Sequence, residues 1–225
     1  MIELKNAGFS YGGRDILTEM NIRLMPGSFH FLTGPSGSGK TTFMRLCYQA
    51  LQPSTGLLRI FEQDVRAMGR DDVARVRRRI GVVHQDCQFL DHLNVAENIL
   101  MPLRVSDRED DIDEDHLMDL LGWVGLADHR DAMPDELSGG ERQRAALARA
   151  VVMSPDLIIA DEPTGNVDWE MAQRLLSLLV ELNKMGKTIL IATHDLNLIR
   201  AAKAEISARV LRIQDQKLQL AGADL

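Results

Sequence analysis

Gly34-Pro35-Ser36-Gly37-Ser38-Gly39-Lys40-Thr41-Thr42 sets two glycines, a lysine and a threonine at the spacing G-x-x-x-x-G-K-[ST], and that spacing suits the chemistry of phosphate binding. Glycines let backbone N–H groups converge on a phosphate with no Cβ in the way, at a helix N-terminus whose partial positive charge favours anions. Lys40 would then span the β- and γ-phosphates while the Thr41 hydroxyl faces Mg²⁺. Four fixed positions of these types arise by accident in roughly one chain in a hundred. The flanks agree with the motif: Ser28 to Thr33 reads as a strand, and Thr42 to Leu46 as the start of a helix.

Two further segments carry matching chemistry. Asp156-Leu157-Ile158-Ile159-Ala160-Asp161-Glu162-Pro163 is a buried strand that ends in two acids. Asp161 would hold a metal directly or through water, and Glu162 would orient and deprotonate an attacking water. Leu137-Ser138-Gly139-Gly140-Glu141-Arg142-Gln143 opens a helix expected from Glu141 to Met153, and it offers a hydroxyl, close backbone approach and helix-terminal N–H groups to a second phosphate.

The order of stations along the chain is specific. Gln85 follows Ile80-Gly81-Val82-Val83, the Leu137-to-Gln143 segment precedes the acidic strand, Gly165-Asn166-Val167-Asp168 follows it, and His194 closes the strand Thr188 to Thr193. Five stations in this order resemble the ATP-binding subunits of ABC (ATP-binding cassette) systems, from Ile2 to about Leu220. The resemblance implies an α/β P-loop NTPase fold of the ABC ATPase type: a mostly parallel core sheet, an N-terminal antiparallel β subdomain and a helical subdomain. It implies ATP and Mg²⁺ as ligands. It also implies a homodimer in which two copies pack head to tail and sandwich two ATP molecules, closing on binding and opening on hydrolysis.

Roles carry over by position. Tyr11, in the setting Phe9-Ser10-Tyr11-Gly12-Gly13, would stack on adenine, and Gly34 through Thr42 would hold the phosphates. Thr41, Gln85 and Asp161 would form the metal set, with Gln85 contacting Mg²⁺ or the water. Lys40, Glu162 and His194 would be catalytic, His194 steadying the γ-phosphate. Leu137, Ser138, Gly139, Gly140, Glu141 and Gln143 would act on the partner subunit's ATP, and Asp168 would cross the dimer interface. The loop before Asp168 reads Gly-Asn-Val-Asp where many family members have Ser-Ala-Leu-Asp. A groove after Gln85, with Phe89, Leu90 and Leu93 as its apolar residues, would receive a short cytoplasmic helix of a membrane subunit.

Within the family, three segments are most similar to the FtsE group of bacterial cell-division ATPases: Phe31-Leu32-Thr33-Gly34, Asp161 to Asn166, and Ala192 to Ile199. That resemblance implies two ATPases bound to two copies of the membrane protein FtsX at the cytoplasmic face of the inner membrane. ATP-driven closure would then be relayed to control peptidoglycan hydrolysis at the division site. Members of the group are also associated with the ring protein FtsZ. The lipoprotein-release and macrolide-export ATPases, which share the Gly-Asn-x-Asp loop, are the close alternative. A non-hydrolysing scaffold that dimerises on ATP is the alternative of another class, and Glu162 argues against it. Chromosome-maintenance ATPases would need long heptad repeats between the motifs, and none is present.

The elements that must position these residues follow from pattern. Alternation in Ile2 to Lys5 and in Ile22 to Leu24, with a turn at Pro26-Gly27, predicts short strands on the adenine side. Residues 88–136 are expected to be a mostly helical insert, with Leu117, Leu120, Leu121 and Val124 on one face. A helix is expected from Glu170 to Lys184. Val210 to Ile213 and Leu218 to Leu220 predict a hairpin whose turn, Asp215-Gln216, lacks the glycine that would ease it.

At 225 residues the chain is expected to form one compound domain over 1–225. No run reaches the 18 or so apolar residues that span a bilayer, and the start lacks a charged-then-apolar signal pattern, so the polypeptide is expected to stay in the cytosol. Two cysteines, Cys47 and Cys87, are too few for a disulfide framework. The net charge of −7 is concentrated in Asp107 to Asp115, seven acids and one arginine, expected as a solvated loop leading into a helix near Glu114. Arg75-Val76-Arg77-Arg78-Arg79 is either an exposed helix end or a contact for an acidic lipid or partner. With no broad basic surface, nucleic acid is a poor partner.

Overall fold

The computed structural model describes residues 1–111 and 113–221. In chain order it contains β1 (Ile2–Tyr11), β2 (Arg14–Leu24), β3 (Phe29–Thr33), α1 (Lys40–Cys47), β4 (Thr55–Ile60), β5 (Gln63–Asp64), α2 (Arg70–Arg78), β6 (Ile80–Val83), α3 (Val95–Val105) and α4 (Glu114–Trp123). There follow α5 (Gly139–Val151), β7 (Leu157–Asp161), α6 (Trp169–Lys184), β8 (Thr188–Ala192), α7 (Leu196–Glu205), β9 (Ala208–Gln214) and β10 (Lys217–Leu220).

Two sheets carry the site. One is six-stranded, in the order β10-β9-β3-β8-β7-β6, parallel except for the terminal hairpin. Its central strands β7 and β8 are buried at every residue, as expected where helices cover both faces. Side-chain alternation divides the interior between those faces. Phe29, Phe31, Ile158, Ala160, Ile189 and Ile191 pack with α3, α5 and α6, while Leu32, Leu157, Ile159 and Leu190 pack with α1 and the second sheet. That second sheet is antiparallel, in the order β2-β1-β4-β5.

β1 and β2 are much longer than the short strands expected from alternation. The pairing survives Asn6-Ala7-Gly8 because register shifts absorb the break: Asn6 adopts a positive φ of 47° and its N–H donates to Asn21 Oδ1 at 2.9 Å. The expected hairpin is β9–β10, and its turn residues Asp215 and Gln216 both take positive φ, 50° and 64°. Docking holds this turn: Thr18 N–H donates to Gln216 O at 2.8 Å, and Lys217 pairs with Glu19 at 2.7 Å. β9 lies beside β3, where the Thr33 hydroxyl donates to Leu211 O at 3.1 Å.

The acidic stretch is less loop-like than its composition suggests. Glu109–Asp111 form a 3₁₀ turn, Asp113 caps α4 by accepting from Asp115 N–H at 2.9 Å, and Ile112 falls outside the described residues. Residues 222–225 of the expected compound domain also lie outside them. Leu117, Leu121 and Val124 are buried and Leu120 packs at their edge. Most of the arginine cluster is committed within the chain. Arg75 pairs with Asp72, Arg77 donates to Gln49 O, and Arg79 pairs with Asp156 while lying over the Phe61 ring. Both cysteines are buried.

The helix α5 meets β6 with no side chain between them. A Cβ on Gly81 would fall 2.0 Å from Ala150 O, so only glycine permits this approach.

One buried polar group in β3 has a measurable consequence. His30 is 1% exposed, its Nδ1 has no hydrogen-bond partner among the described residues, and burial, with the charge of Arg209, depresses its pKa from 6.5 to about 4. A folded-state value below the unfolded one means stability that is complete above pH 6.5 and drains away as pH falls toward 4. Between pH 7 and 4.5 the parent is expected to lose about 2–3 kcal/mol more than His30→Leu, measured by urea denaturation at the two pH values. Equal losses would show that His30 is not held neutral by the fold.

Candidate nucleotide site

The glycine loop runs from the end of β3 into α1. Gly34, Gly37 and Gly39 all have positive φ (148°, 75° and 104°), the region in which a side chain is strained. The first turn of α1 has no side-chain cap and no acidic residue, so its N–H groups face outward for an anion. The Lys40 ammonium donates to Gly34 O at 2.8 Å and Pro35 O at 3.1 Å, folded over the loop it belongs to. The Ser38 hydroxyl oxygen is buried with no partner among the described residues.

A cavity of about 560 Å³ joins this loop to the other stations. Its wall contains Tyr11, Gly34, Ser36, Gly37, Gly39, Lys40, Thr41, Thr42, Gln85, Asp161, Glu162 and His194, residues that sequence reasoning had collected from five separate segments. Tyr11 ends β1 with its ring 45% exposed and edge-on to Phe9, at a centroid distance of 4.7 Å. Arg45, in α1, reaches the Tyr11 and Tyr48 hydroxyls, which raises its pKa.

The acid pair sits at the end of β7. The Thr41 hydroxyl donates to Asp161 Oδ2 at 2.9 Å, and Asp161 is 9% exposed. Burial raises its pKa and the Thr41 bond opposes that rise. A hydroxyl and a buried carboxylate in contact, with the Gln85 side of the same cavity beside them, form an all-oxygen donor set that fits a hard divalent cation such as Mg²⁺. Glu162 follows in a strained backbone conformation, φ 49°, and its Oε1 lies 2.8 Å from His194 Nδ1. That bond to Glu162 raises the His194 pKa.

The segment from Leu137 to Gln143 lies elsewhere. Ser138 caps α5, accepting from Glu141 N–H at 3.4 Å, while its hydroxyl and its own N–H donate to Glu141 Oε2 at 2.6 and 2.8 Å, and these two bonds to the carboxylate lower the Glu141 pKa. Ser138, Gly139, Gly140 and Glu141 line a separate cavity of about 570 Å³ with Asn166, Val167 and Asp168. Asp168 caps α6, accepting from Met171 N–H at 2.8 Å. Two residues expected to face a partner's ATP point inward instead. Leu137 is 7% exposed and packs in the interior. Gln143 is 2% exposed: its Nε2 donates to Glu162 O, and its Oε1 accepts from Asn166 N–H at 3.1 Å.

Beyond Gln85, Phe89 is half-buried between the guanidinium groups of Arg142 and Arg149, at 5.4 and 4.7 Å from its ring centroid. Leu93 is half-buried and Leu90 is 43% exposed. The concave surface beside Gln85 is formed by other residues, in a cavity of about 460 Å³ lined by Met44, Arg45, Tyr48, Val82, His84 and Asp86. Tyr48 and His84 meet there edge to face. Asp86 belongs to the surface expected after Gln85, but no local motif contains the other five: α1, β6 and the residues that follow each bring them together only by packing.

Comparison with known proteins supports the same reading. Residues 17–165 match the family model described as ABC transporter. The chain is 36% identical over 216 residues to the cell division ATP-binding protein FtsE of Bacillus subtilis, covering 96% of this chain and 93% of that one. It is 38% identical to FtsE of Mycobacterium tuberculosis (92% and 90% covered) and 37% identical to FtsE of Escherichia coli (97% of each). Among solved structures it matches a dimeric ATP-binding cassette in a post-hydrolysis state bound to ADP and Pi, with a TM-score of 0.86 and 29% identity over 97% of each chain. A second dimeric structure, of a bacterial ABC transporter cassette, matches with a TM-score of 0.85 and 30% identity over 97% of each chain. With its glycine loop, acid pair and His194 around one cavity and its relatives aligned over 92–97% of its length, the chain belongs to the ABC transporter family as an ATP-binding subunit of an ABC-type system.

Proposed function

We propose that this chain is the ATP-hydrolysing subunit of an FtsE–FtsX-like complex, in which closure of two copies on ATP is relayed through a membrane subunit to control peptidoglycan hydrolysis in cell division. The observation that carries the two-copy reading is the separation of its cavities. One holds the glycine loop, Asp161, Glu162 and His194, and the other holds Ser138, Gly139 and Gly140. Neither is complete, and a head-to-tail second copy would bring each to the other.

In the closed pair, Tyr11 offers its exposed ring to adenine, and the N–H groups of the loop and of the first turn of α1 bind the phosphates. Lys40 exchanges the Gly34 and Pro35 carbonyls for phosphate oxygens. Thr41 and Asp161, with Gln85, hold Mg²⁺, which when bound neutralises charge on the β- and γ-phosphates. Glu162 takes the proton of the attacking water, and His194 steadies the γ-phosphate and fixes the direction of the Glu162 carboxylate. Ser138 of the second copy releases its hydroxyl from Glu141 to donate to the γ-phosphate. Asp168 meets the second copy.

A cytoplasmic helix of the membrane subunit docks after Gln85, on Phe89, Leu90 and Leu93 and on the cavity lined by Met44, Arg45, Tyr48 and His84. No helix among the described residues is long and apolar enough to cross a membrane, so in this reading membrane association comes from that partner. FtsZ is a second candidate partner. Affinity purification of the tagged chain from detergent-solubilised membranes is expected to recover an FtsX-like protein in equal amount. Recovery of a lipoprotein-export permease instead would overturn the cell-division assignment and leave the ATPase chemistry unchanged.

A further inference from the structure

We infer that Gln143 is a positioning residue that ties the Glu162 carboxylate of its own chain to the helix that reads the second copy's nucleotide. Both ends of one buried amide are used: Nε2 donates to Glu162 O and Oε1 accepts from Asn166 N–H. Glu162 needs such support. Its φ of 49° is a conformation that costs a non-glycine residue free energy and persists only where neighbours fix it from several sides. Here Glu162 N–H donates to Ala192 O at 2.9 Å, and its carbonyl accepts from Gly165 N–H at 3.1 Å as well as from Gln143. The backbone is therefore held by β8 on one side and by α5 on the other. The carboxylate it carries is aimed at His194.

The same turn of α5 has a second direct contact. A Cβ on Gly140 would lie 2.9 Å from Asn166 O, so the helix start rests on the 162–168 loop without a side chain between them. A shift of Ser138 toward a γ-phosphate must therefore move the loop that carries Glu162 at one end and Asp168 at the other. Each copy's contact with its partner's ATP thus sets the geometry of the base that serves its own ATP. This inference rests on the two-copy reading above, and the experiment separates the two.

Full-length chains carrying two different tags are co-expressed and purified as mixed pairs, with Lys40→Ala in one chain so that only the other, loaded chain binds ATP. Gln143→Met is then placed in either chain. In the loaded chain it is expected to lower kcat by about tenfold or more with KM changed less than about threefold, because a misplaced base costs rate rather than binding. In the unloaded chain its effect is expected to be at least about fivefold smaller. Gln143→Glu, which keeps the acceptor for Asn166 N–H and loses the donor to Glu162 O, is expected to follow the same pattern and guards against a packing defect in the methionine variant. Equal losses in both arms, or a greater loss with the substitution in the unloaded chain, would overturn the inference. Ser138→Arg in the same pairs should show the opposite asymmetry. If it did not, the two-copy reading itself would fail, whatever Gln143 does.

Discussion

Glu162→Gln is expected to reduce steady-state ATP turnover by about 10²–10⁴-fold while leaving ATP binding intact, the range over which a positioned general base contributes. The substitution keeps the shape of the side chain and its strained backbone, and an amide can still bond to His194 Nδ1 in the appropriate tautomer, so fold and cavity should persist. What it removes is the ability to accept the proton of water. Because Glu162 lies in the cavity of the glycine loop, proposed to bind ATP, and not in the one containing Ser138, closure should still occur and reopening should stall. Phosphate release and size-exclusion chromatography in ATP measure the two effects together. Turnover equal to the parent's would remove Glu162 as the base, and loss of ATP binding would point instead to a structural role.

Lys40→Ala is expected to weaken ATP binding by about 100-fold or more, since hydrogen bonds to a charged donor contribute about 1.5–3 kcal/mol each and Lys40 is proposed to span two phosphates. Its ammonium bonds to two carbonyls of its own loop, at 2.8 and 3.1 Å. Those bonds hold the side chain over the cradle, and their loss should alter thermal stability far less than it alters affinity. Nucleotide titration by fluorescence, paired with a thermal melt, distinguishes the two. Unchanged affinity would contradict the assignment of the glycine loop as the phosphate cradle.

Which parts of this molecule were legible in its residues follows from how the chemistry is written along the chain. The glycine loop, the acidic strand end and the Ser138 segment are contiguous because a phosphate cradle, a metal carboxylate and a helix cap each need neighbours in sequence. The parallel core was legible for the same reason: Leu157 to Ala160 and Ile189 to Ala192 are unbroken apolar runs, as expected of a doubly covered sheet.

Three features were not. Gln143 sits inside a motif whose Ser138, Gly139 and Gly140 line an open cavity, and nothing in its residue type reveals that its amide turns into the interior. Arg45, Tyr48 and His84 share one cavity although they come from two different elements, so only packing assembles them. The length of β1 was hidden because Asn6-Ala7-Gly8 reads as a strand end, whereas a register shift carries the pairing through it.

The placement of β9 bears on when the chain becomes competent during its synthesis. β9 pairs with β3, the Thr33 hydroxyl bonds to Leu211 O, and Ile213 O lies so close to Gly34 that a Cβ there would fall 2.6 Å away. The glycine loop emerges from the ribosome early, but β9, the strand that backs it, emerges only after β4 to β8 and α2 to α7 have been translated. The loop is therefore expected to reach its final form in a nascent chain only once β9 has been made and has paired with β3.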